Sequence, residues 1–236
     1  MVLATATSLL LPHAPAQAST APVGNLSGWT QIVREDFNGA LNTNRWGAYS
    51  GQPGGNPYGW WSPRHIEMHG GQAWLHGYRE GGKFVTAGMM LNSAQQEYGR
   101  YVVRARFDRG VGIEHVMLLW PTAGAWPPEV DFSEGSATTN RTMATAHWSS
   151  SNLQQHLFRA IDMRLWHTYS VDWTPTRLTY RIDGQAFGIM TGAAVPHAKM
   201  SMALQTHATQ AVGPVSASQP RDVTMAIDWV AVYRYG

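Results

Sequence analysis

The stretch that decides the fold is VTMAIDWVAVYRY, residues 223–235. Apolar or aromatic residues occupy every second position, which is the side-chain period of a β-strand. The pattern predicts one long strand with a single buried face. The residues expected on that face are Val223, Met225, Ile227, Trp229, Ala231, Tyr233 and Tyr235.

The rest of the chain carries the same period in shorter pieces. YGRYVVRARF (residues 98–107) and HTYSVDW (167–173) alternate, and TYRIDGQAFG (179–188) predicts a hairpin that turns at Asp183-Gly184. We find no convincing helical period with caps at both ends. Short strands joined by turns that are rich in Gly and Pro predict an all-β sandwich or barrel, formed by one domain over residues 25–236.

The composition favours an uncharged, hydroxyl-rich ligand. Charged residues make up 14% of the 236 residues, against about 25% in an average soluble domain. The chain has 11 Trp, 9 Tyr and a formal net charge of +2, without a basic run. We therefore expect no nucleic-acid partner. The absence of Cys excludes a disulfide framework and cysteine-ligated zinc.

The N-terminal segment resembles the later part of a secretory signal. An apolar run over residues 2–11 precedes Ala16-Gln17-Ala18, a small-x-small cleavage pattern, although no basic segment comes before it. Residues 1–24 are therefore predicted to be a partial signal peptide and linker, and the protein to be secreted. A disordered tail rich in Ala and Pro is the alternative. No later run reaches the ~20 apolar residues of a membrane span.

Three acids lie close together in WPPEVDFSEG, residues 126–135. Glu129 and Asp131 share one face of a strand, whereas strict alternation would send Glu134 to the other face. A β-bulge at Phe132-Ser133 would restore the parity. Glycoside cleavage with retention needs a nucleophilic carboxylate and a carboxylic acid about 5–5.5 Å apart, which two long Glu side chains could provide. A solvated edge strand that happens to carry acids is the alternative.

Here the sequence resembles glycoside hydrolase family 16, the laminarinase and lichenase family. WPPEVDFSEG is similar to the E-x-D-x-x-E strand of that family. Six other segments, before and after it, also occur in the family's order: EDFNG, EYGRYVVRARF, LLWP, TAHW, WHTYSVDWTPTRLTYRIDG and IDWVAVYRY. The resemblance implies a concanavalin A-like β-jelly-roll sandwich of two curved antiparallel sheets. One departure is GIEHVMLLWP (residues 112–121), which places Glu114 and His115 where apolar residues are common.

The resemblance also implies roles for residues. Glu129 would be the nucleophile, Asp131 the assisting acid and Glu134 the acid/base, with His147 beside them. Aromatic and amide side chains around this strand and in the loop over residues 54–64 are candidates for binding sugars. The predicted substrate-binding residues are Trp126, His147, Trp120, Trp148, Trp60, Asn56 and Gln205.

The predicted activity is a retaining endo-β-glucanase that acts on β-1,3 or mixed β-1,3/1,4-glucan, as a monomer and without a catalytic cofactor. Galactan cleavage, transglycosylation and a non-catalytic lectin remain as alternatives. The resemblance further implies a structural calcium at Asp228. An exposed strand aspartate with no ligand is the alternative for that residue.

Overall fold

The computed structural model describes residues 20–54, 56–123, 126–214, 216 and 219–236. In these ranges the chain forms seventeen strands and two short 3-10 helices, Pro63–His65 and Gly192–Ala194. The strands are β1 (Trp29–Glu35), β2 (Trp46–Ala48), β3 (Trp60–Trp61), β4 (Ile66–His69), β5 (Gln72–Glu80), β6 (Lys83–Thr86), β7 (Gly88–Leu91), β8 (Gly99–Phe107), β9 (Ile113–Pro121), β10 (Glu129–Gly135), β11 (Arg141–Trp148), β12 (Leu153–Ala160), β13 (His167–Thr174), β14 (Arg177–Ile182), β15 (Gln185–Thr191), β16 (Met200–Ala208) and β17 (Val223–Tyr235).

The strands form two sheets. The seven-stranded sheet has the order β12-β11-β10-β9-β16-β7-β2. The ten-stranded sheet has the order β15-β14-β13-β8-β17-β5-β6-β3, with β1 paired to β17 and β4 to β5. Every strand pair in the described residues is antiparallel except β3 with β6. The predicted all-β sandwich is confirmed.

The main core lies between the two sheets. Alternate residues of β8 (Tyr101, Val103, Ala105) and of β13 (Tyr169, Val171) pack against β9 and β10 there. They are completely buried, as the alternation in the sequence predicts. Burial of this kind contributes roughly 1.5–3 kcal/mol for each large side chain. The sandwich therefore needs no disulfide.

Strand β17 differs from its prediction. A register shift between Ile227 and Trp229 places Asp228 at a bulge against β8. Met225 and Ile227 face the main core before the shift, and Val230 faces it after the shift. Trp229 instead joins a separate cluster on the outer surface of the sheet. The expected single face was wrong, because one extra residue reverses the parity of every side chain that follows.

The hairpin between β14 and β15 confirms the predicted turn. Asp183 and Gly184 have φ of 50° and 76°, the left-handed region that a two-residue hairpin turn requires. Glycine reaches this region without steric cost, and aspartate tolerates it better than most residues.

The predicted leader lies largely outside the described residues, which begin at residue 20. Ala21, expected in the linker, is 2% exposed and packs against the outer surface of β17. None of the helices in the described ranges is long and apolar enough to cross a membrane.

Candidate active site

The site forms on the solvent-facing side of the seven-stranded sheet. Glu129 pairs with His147 across β10 and β11, and Asp131 pairs with Thr145. Between Asp131 and Glu134 the register shifts by one residue against β11. Against β9 the shift falls between Asp131 and Ser133. The structure therefore confirms a bulge at the predicted position.

Buried polar contacts stabilise the bulge on the side that faces the interior of the sandwich. The Ser133 hydroxyl lies 3.1 Å from His115 Nε2 and 2.8 Å from Thr142 Oγ1. His115 also stacks on Phe107, with ring centroids 3.6 Å apart. Burial lowers the pKa of His115 to about 3, so its ring is neutral at physiological pH. The unusual histidine of β9 thus supplies a hydrogen-bond partner where the bulge turns Ser133 inward.

Glu134 returns to the face of the other two acids. Its Oε1 accepts a hydrogen bond from Thr145 Oγ1. Thr145 lies two residues before His147 on β11, so both side chains project from the same side of the sheet. This contact excludes an inward-pointing Glu134.

Asp131 lies beneath this group and pairs with His147. It is 2% exposed, and its Oδ2 lies 3.3 Å from His147 Nε2. The other ring nitrogen of His147 lies 2.8 Å from Asn152 Oδ1. Because both nitrogens face oxygen acceptors, both carry hydrogen. Burial lowers the pKa of His147, but the bonds to Asp131 and Asn152 outweigh it and raise this pKa to about 9.

Trp126 holds the carboxylate of Glu129. Its Nε1 donates to Glu129 Oε2 at 2.6 Å. The Trp126 ring is nearly parallel to Trp120, with centroids 6.4 Å apart. Both rings are more than a third exposed beside the acids. Exposed, rigid aromatic faces of this kind can stack on the apolar faces of sugars.

Burial raises the pKa of all three acids. For Glu129, the bond from Trp126 and the charge of His147 act in the opposite direction. For Asp131, burial raises the pKa well above the ordinary value, and the charges of Glu134 and Glu129 add to it. For Glu134, the bond from Thr145 opposes the effect of burial. Raised carboxyl pKa values in a cleft are the property a general acid needs at neutral pH.

This property predicts that Glu134→Gln stabilises the fold at neutral pH. The raised pKa means that folded protein binds the Glu134 proton more tightly than unfolded protein does, so stability falls as pH rises above the ordinary glutamate range. Glutamine removes that loss. We expect Tm to rise by roughly 2–4 °C at pH 7, which corresponds to about 1 kcal/mol. The gain should vanish below about pH 4, where the carboxyl is protonated in both states.

Thermal denaturation at several pH values measures this effect. Glu97→Gln, at an exposed position, is the control and should leave Tm unchanged. An equal gain for Glu134→Gln at acid and neutral pH would contradict the electrostatic explanation.

A fourth carboxyl group lies beside Glu134. Glu114 of β9 is two residues from Val116, the register partner of Glu134. Burial and the charge of Glu134 raise the pKa of Glu114 to about 7. His207 Nε2 is 3.8 Å from Glu114 Oε2, and burial lowers the pKa of His207 to about 4. Sequence reasoning noted Glu114 only as a departure from the family.

A cleft of about 370 Å³ extends from Glu129 across β9, β16 and β7. Its lining residues are Tyr49, Pro53, Gly54, Asn56, Trp61, Met90, Leu118, Trp120, Glu129, Gln205 and His207. Tyr49 lies against Gly88, where an added Cβ would come within 2.5 Å of the ring. Glycine at this position therefore lets the tyrosine cover the floor of the cleft.

Some predicted substrate contacts lie in the cleft. Trp120, Gln205 and Asn56 line it. The amide of Asn56 also anchors its loop, because Nδ2 donates to the Ala208 carbonyl at 2.6 Å and Oδ1 accepts from Tyr58 N.

Two predicted substrate contacts need correction. Trp148 packs against the main core, because strand alternation turns it away from the face of His147. Trp60 does not line the cleft, and the Lys83 ammonium lies 3.5 Å from the centre of its ring. Its neighbour Trp61 lines the cleft instead. The prediction chose Trp60, because no local sequence signal distinguishes which of two adjacent rings faces the sheet.

Asp228, where a structural calcium is predicted, pairs with an arginine. Asp228 is 1% exposed, so it is not the exposed aspartate of the alternative hypothesis. Its Oδ2 accepts from Arg104 Nε at 2.9 Å. The guanidinium supplies a positive charge at Oδ2, and the predicted calcium, which requires a shell of six to eight oxygens, stays a prediction.

The active-site group also resembles a metal site in its spacing. Glu129, Asp131 and His147 offer ligand atoms that all lie within 4.8 Å of one another. A histidine that is protonated on both nitrogens has no lone pair for a metal. The group is therefore better suited to sharing protons than to holding an ion.

Comparison with known proteins identifies the family. The sequence model described as "Glycosyl hydrolases family 16" matches residues 58–231. The chain belongs to glycosyl hydrolase family 16. The three acids, the bulge and His147 all lie within the matched part of the chain.

Among curated proteins, the chain is similar to "Endo-1,3-1,4-beta-glycanase ExsH" of Rhizobium meliloti (strain 1021). It is 29% identical over 173 residues, which cover 69% of this chain and 35% of that protein. This chain thus spans about a third of that relative's length.

Solved structures share the fold. The laminarinase from Rhodothermus marinus has a TM-score of 0.76 at 21% identity, covering 88% of this chain and 98% of that one. A structure from work on endo-acting O-glycanases of the human gut microbiota has a TM-score of 0.77 at 17% identity, covering 91% and 94%.

Proposed function

We propose that this chain is the catalytic domain of a secreted, retaining endo-β-glucanase. Its substrate would be a neutral β-1,3 or mixed β-1,3/1,4-glucan, and it would act as a monomer without a catalytic cofactor. The observation that carries the proposal is the hydrogen bond from Thr145 to Glu134, because it puts the third acid on the face of Glu129 and Asp131. The name of the ExsH relative, an endo-1,3-1,4-β-glycanase, supports the choice of linkage.

The first chemical step would form a covalent glycosyl-enzyme. Glu129 attacks the anomeric carbon while the bond from that carbon to the glycosidic oxygen breaks. Glu134 gives its proton to the departing oxygen, and burial raises its pKa above the ordinary glutamate value, which favours the protonated acid. One half of the glucan then leaves with a new hydroxyl group.

The second step would release the other half. Glu134, now ionised, removes a proton from water, and the water oxygen attacks the anomeric carbon as Glu129 departs. Two inversions at one carbon give net retention, and one water molecule is consumed. The acid is thereby reprotonated for the next cycle.

Asp131 would keep the nucleophile ionised. Burial raises the pKa of Glu129, and a side-chain hydrogen bond with Asp131 is one of the interactions that oppose this rise. Burial raises the pKa of Asp131 well above its ordinary value, which favours a protonated form that can donate to Glu129, while Oδ2 lies 3.3 Å from His147 Nε2. One proton shared in this way leaves Glu129 as the nucleophilic carboxylate.

Product analysis tests the proposal. Laminarin, lichenan, agarose and xyloglucan are incubated with the protein, and chain length and anomeric configuration are followed from the earliest times. We expect intermediate-length oligosaccharides from laminarin or lichenan, with the β-anomer appearing first. The α-anomer first would contradict retention. Cleavage of agarose alone would indicate a galactan-cleaving enzyme, and cleavage of none would favour a lectin.

A further inference from the structure

The Thr145 hydroxyl connects two groups on neighbouring strands. It donates to Glu134 Oε1 and lies 3.0 Å from His156 Nδ1 on β12. Thr145 and His156 are direct register partners. Thr145 is 1% exposed, whereas His156 is exposed at the edge strand of the sheet.

When Glu134 is ionised, the chemistry of a hydroxyl group fixes the direction of both bonds, because a carboxylate can only accept. A threonine hydroxyl has one hydrogen to donate and two lone pairs to accept. Because Thr145 gives its hydrogen to Glu134, its oxygen must accept from His156. The His156 ring therefore carries hydrogen on Nδ1.

The same bond distinguishes the two oxygens of Glu134. Oε1 acts as an acceptor for Thr145, so the proton of the neutral acid belongs on Oε2. In addition, a hydrogen bond to an ionised acceptor is about twice as strong as one to a neutral group. The Thr145 bond should therefore strengthen as Glu134 loses its proton.

We propose that Thr145 and His156 are positioning residues that fix the catalytic proton on Oε2 of Glu134 and stabilise the carboxylate formed when that proton is transferred. This inference rests on the proposed function of Glu134 as the acid/base. Neither residue needs to touch the substrate. His156 acts through Thr145, by orienting its hydroxyl towards Oε1.

Other charged groups also face Glu134. They are Glu129 and Asp131 from its own strand, Glu114 from β9, His147 from β11 and His156 from β12. The carboxylates favour retention of the proton, and the histidines favour its release. Thr145 differs from all of them because it bonds directly to one oxygen of Glu134.

The test compares Thr145→Val with Thr145→Ser. Valine keeps the branched shape but removes the hydroxyl, so kcat/KM on the preferred glucan should fall about tenfold to a hundredfold. The Glu134 carboxylate also loses a hydrogen bond, so the pKa of Glu134 should rise. The alkaline limb of the pH profile of kcat/KM should therefore move to higher pH. Serine should restore both. Thr179→Val, at a buried threonine of the other sheet, is the control.

A second pair of variants leaves the core unchanged. His156→Phe should also move the alkaline limb of the pH profile to higher pH, by a smaller amount than Thr145→Val does. His156→Asn has an amide hydrogen near the position of Nδ1, so its alkaline limb should return to the wild-type position. Some aryl glycosides have a leaving group that departs without a proton from Glu134. With these substrates, Thr145→Val should form the glycosyl-enzyme at nearly the wild-type rate. A lower rate with an unmoved limb would overturn the proposal, because that result indicates a purely structural role.

A titration without substrate separates this inference from the proposed function. The pKa of Glu134 is followed by NMR of carboxyl-labelled glutamate in wild type, Thr145→Val and His156→Phe. Inactivity of the wild type on every glycan would refute the proposed function, whereas the titration would still report on Thr145. An unchanged pKa of Glu134 in both variants would overturn the proposed positioning.

Discussion

Glu129→Gln is expected to lower turnover of every glucan and aryl glycoside by a factor on the order of 10⁵, because no nucleophile remains to form the glycosyl-enzyme. Glu134→Gln should lower turnover of glucans by roughly 10²–10⁴-fold, the usual contribution of a general acid. With a leaving group that needs no proton, Glu134→Gln should still form the intermediate. The two glutamates therefore give different patterns of loss.

Burst kinetics with an activated aryl glucoside measure the difference. Glu134→Gln should show a burst of released phenol followed by slow turnover, because the intermediate forms but water is not activated. Glu129→Gln should show no burst. Glu97→Gln is the matched control and should behave as wild type. A burst from Glu129→Gln would show that the two roles were assigned to the wrong residues.

The second large effect concerns Asp131. Asp131→Ala removes the hydrogen bond to Glu129 and the partner of His147, so kcat/KM should fall by roughly 10²–10³-fold. Asp131→Asn should retain activity within about tenfold. The asparagine amide reproduces the hydrogen-bonding pattern of a protonated carboxyl group, with a donor for Glu129 and an acceptor for His147.

The pKa of His147 provides an independent readout. Asp131 raises this pKa, so NMR titration should give a value below about 9 in both variants. An Asp131→Asn protein as impaired as Asp131→Ala would contradict a protonated Asp131. In that case the negative charge of Asp131, and not its hydrogen-bonding pattern, would be what the site requires.

The part of the site that sequence could predict is the part set by spacing within one strand. Glu129 and Asp131 share a face because side chains alternate, and the odd position of Glu134 predicts a bulge for the same reason. The regular alternation of β8 and β13 identified their buried residues correctly for the same local reason.

Sequence prediction failed where a bulge lacks a local signal or where a contact crosses strands. Nothing in IDWVAVY marks the shift at Asp228 that turns Trp229 to the outer surface. The prediction placed Trp60 in the cleft, whereas Trp61 lines it, because the pairing of their short strand decides which ring faces the cleft.

The sequence by itself determined the all-β class, the acids on one strand and the bulge between them, since each depends on residues within a few positions of one another. Only the tertiary structure decided that the Thr145 hydroxyl bonds to both Glu134 and His156, that His115 holds the bulge and that Arg104 neutralises Asp228. These contacts join different strands. Their partners are set by sheet order and register, which follow from the packing of the whole sandwich and not from any one segment.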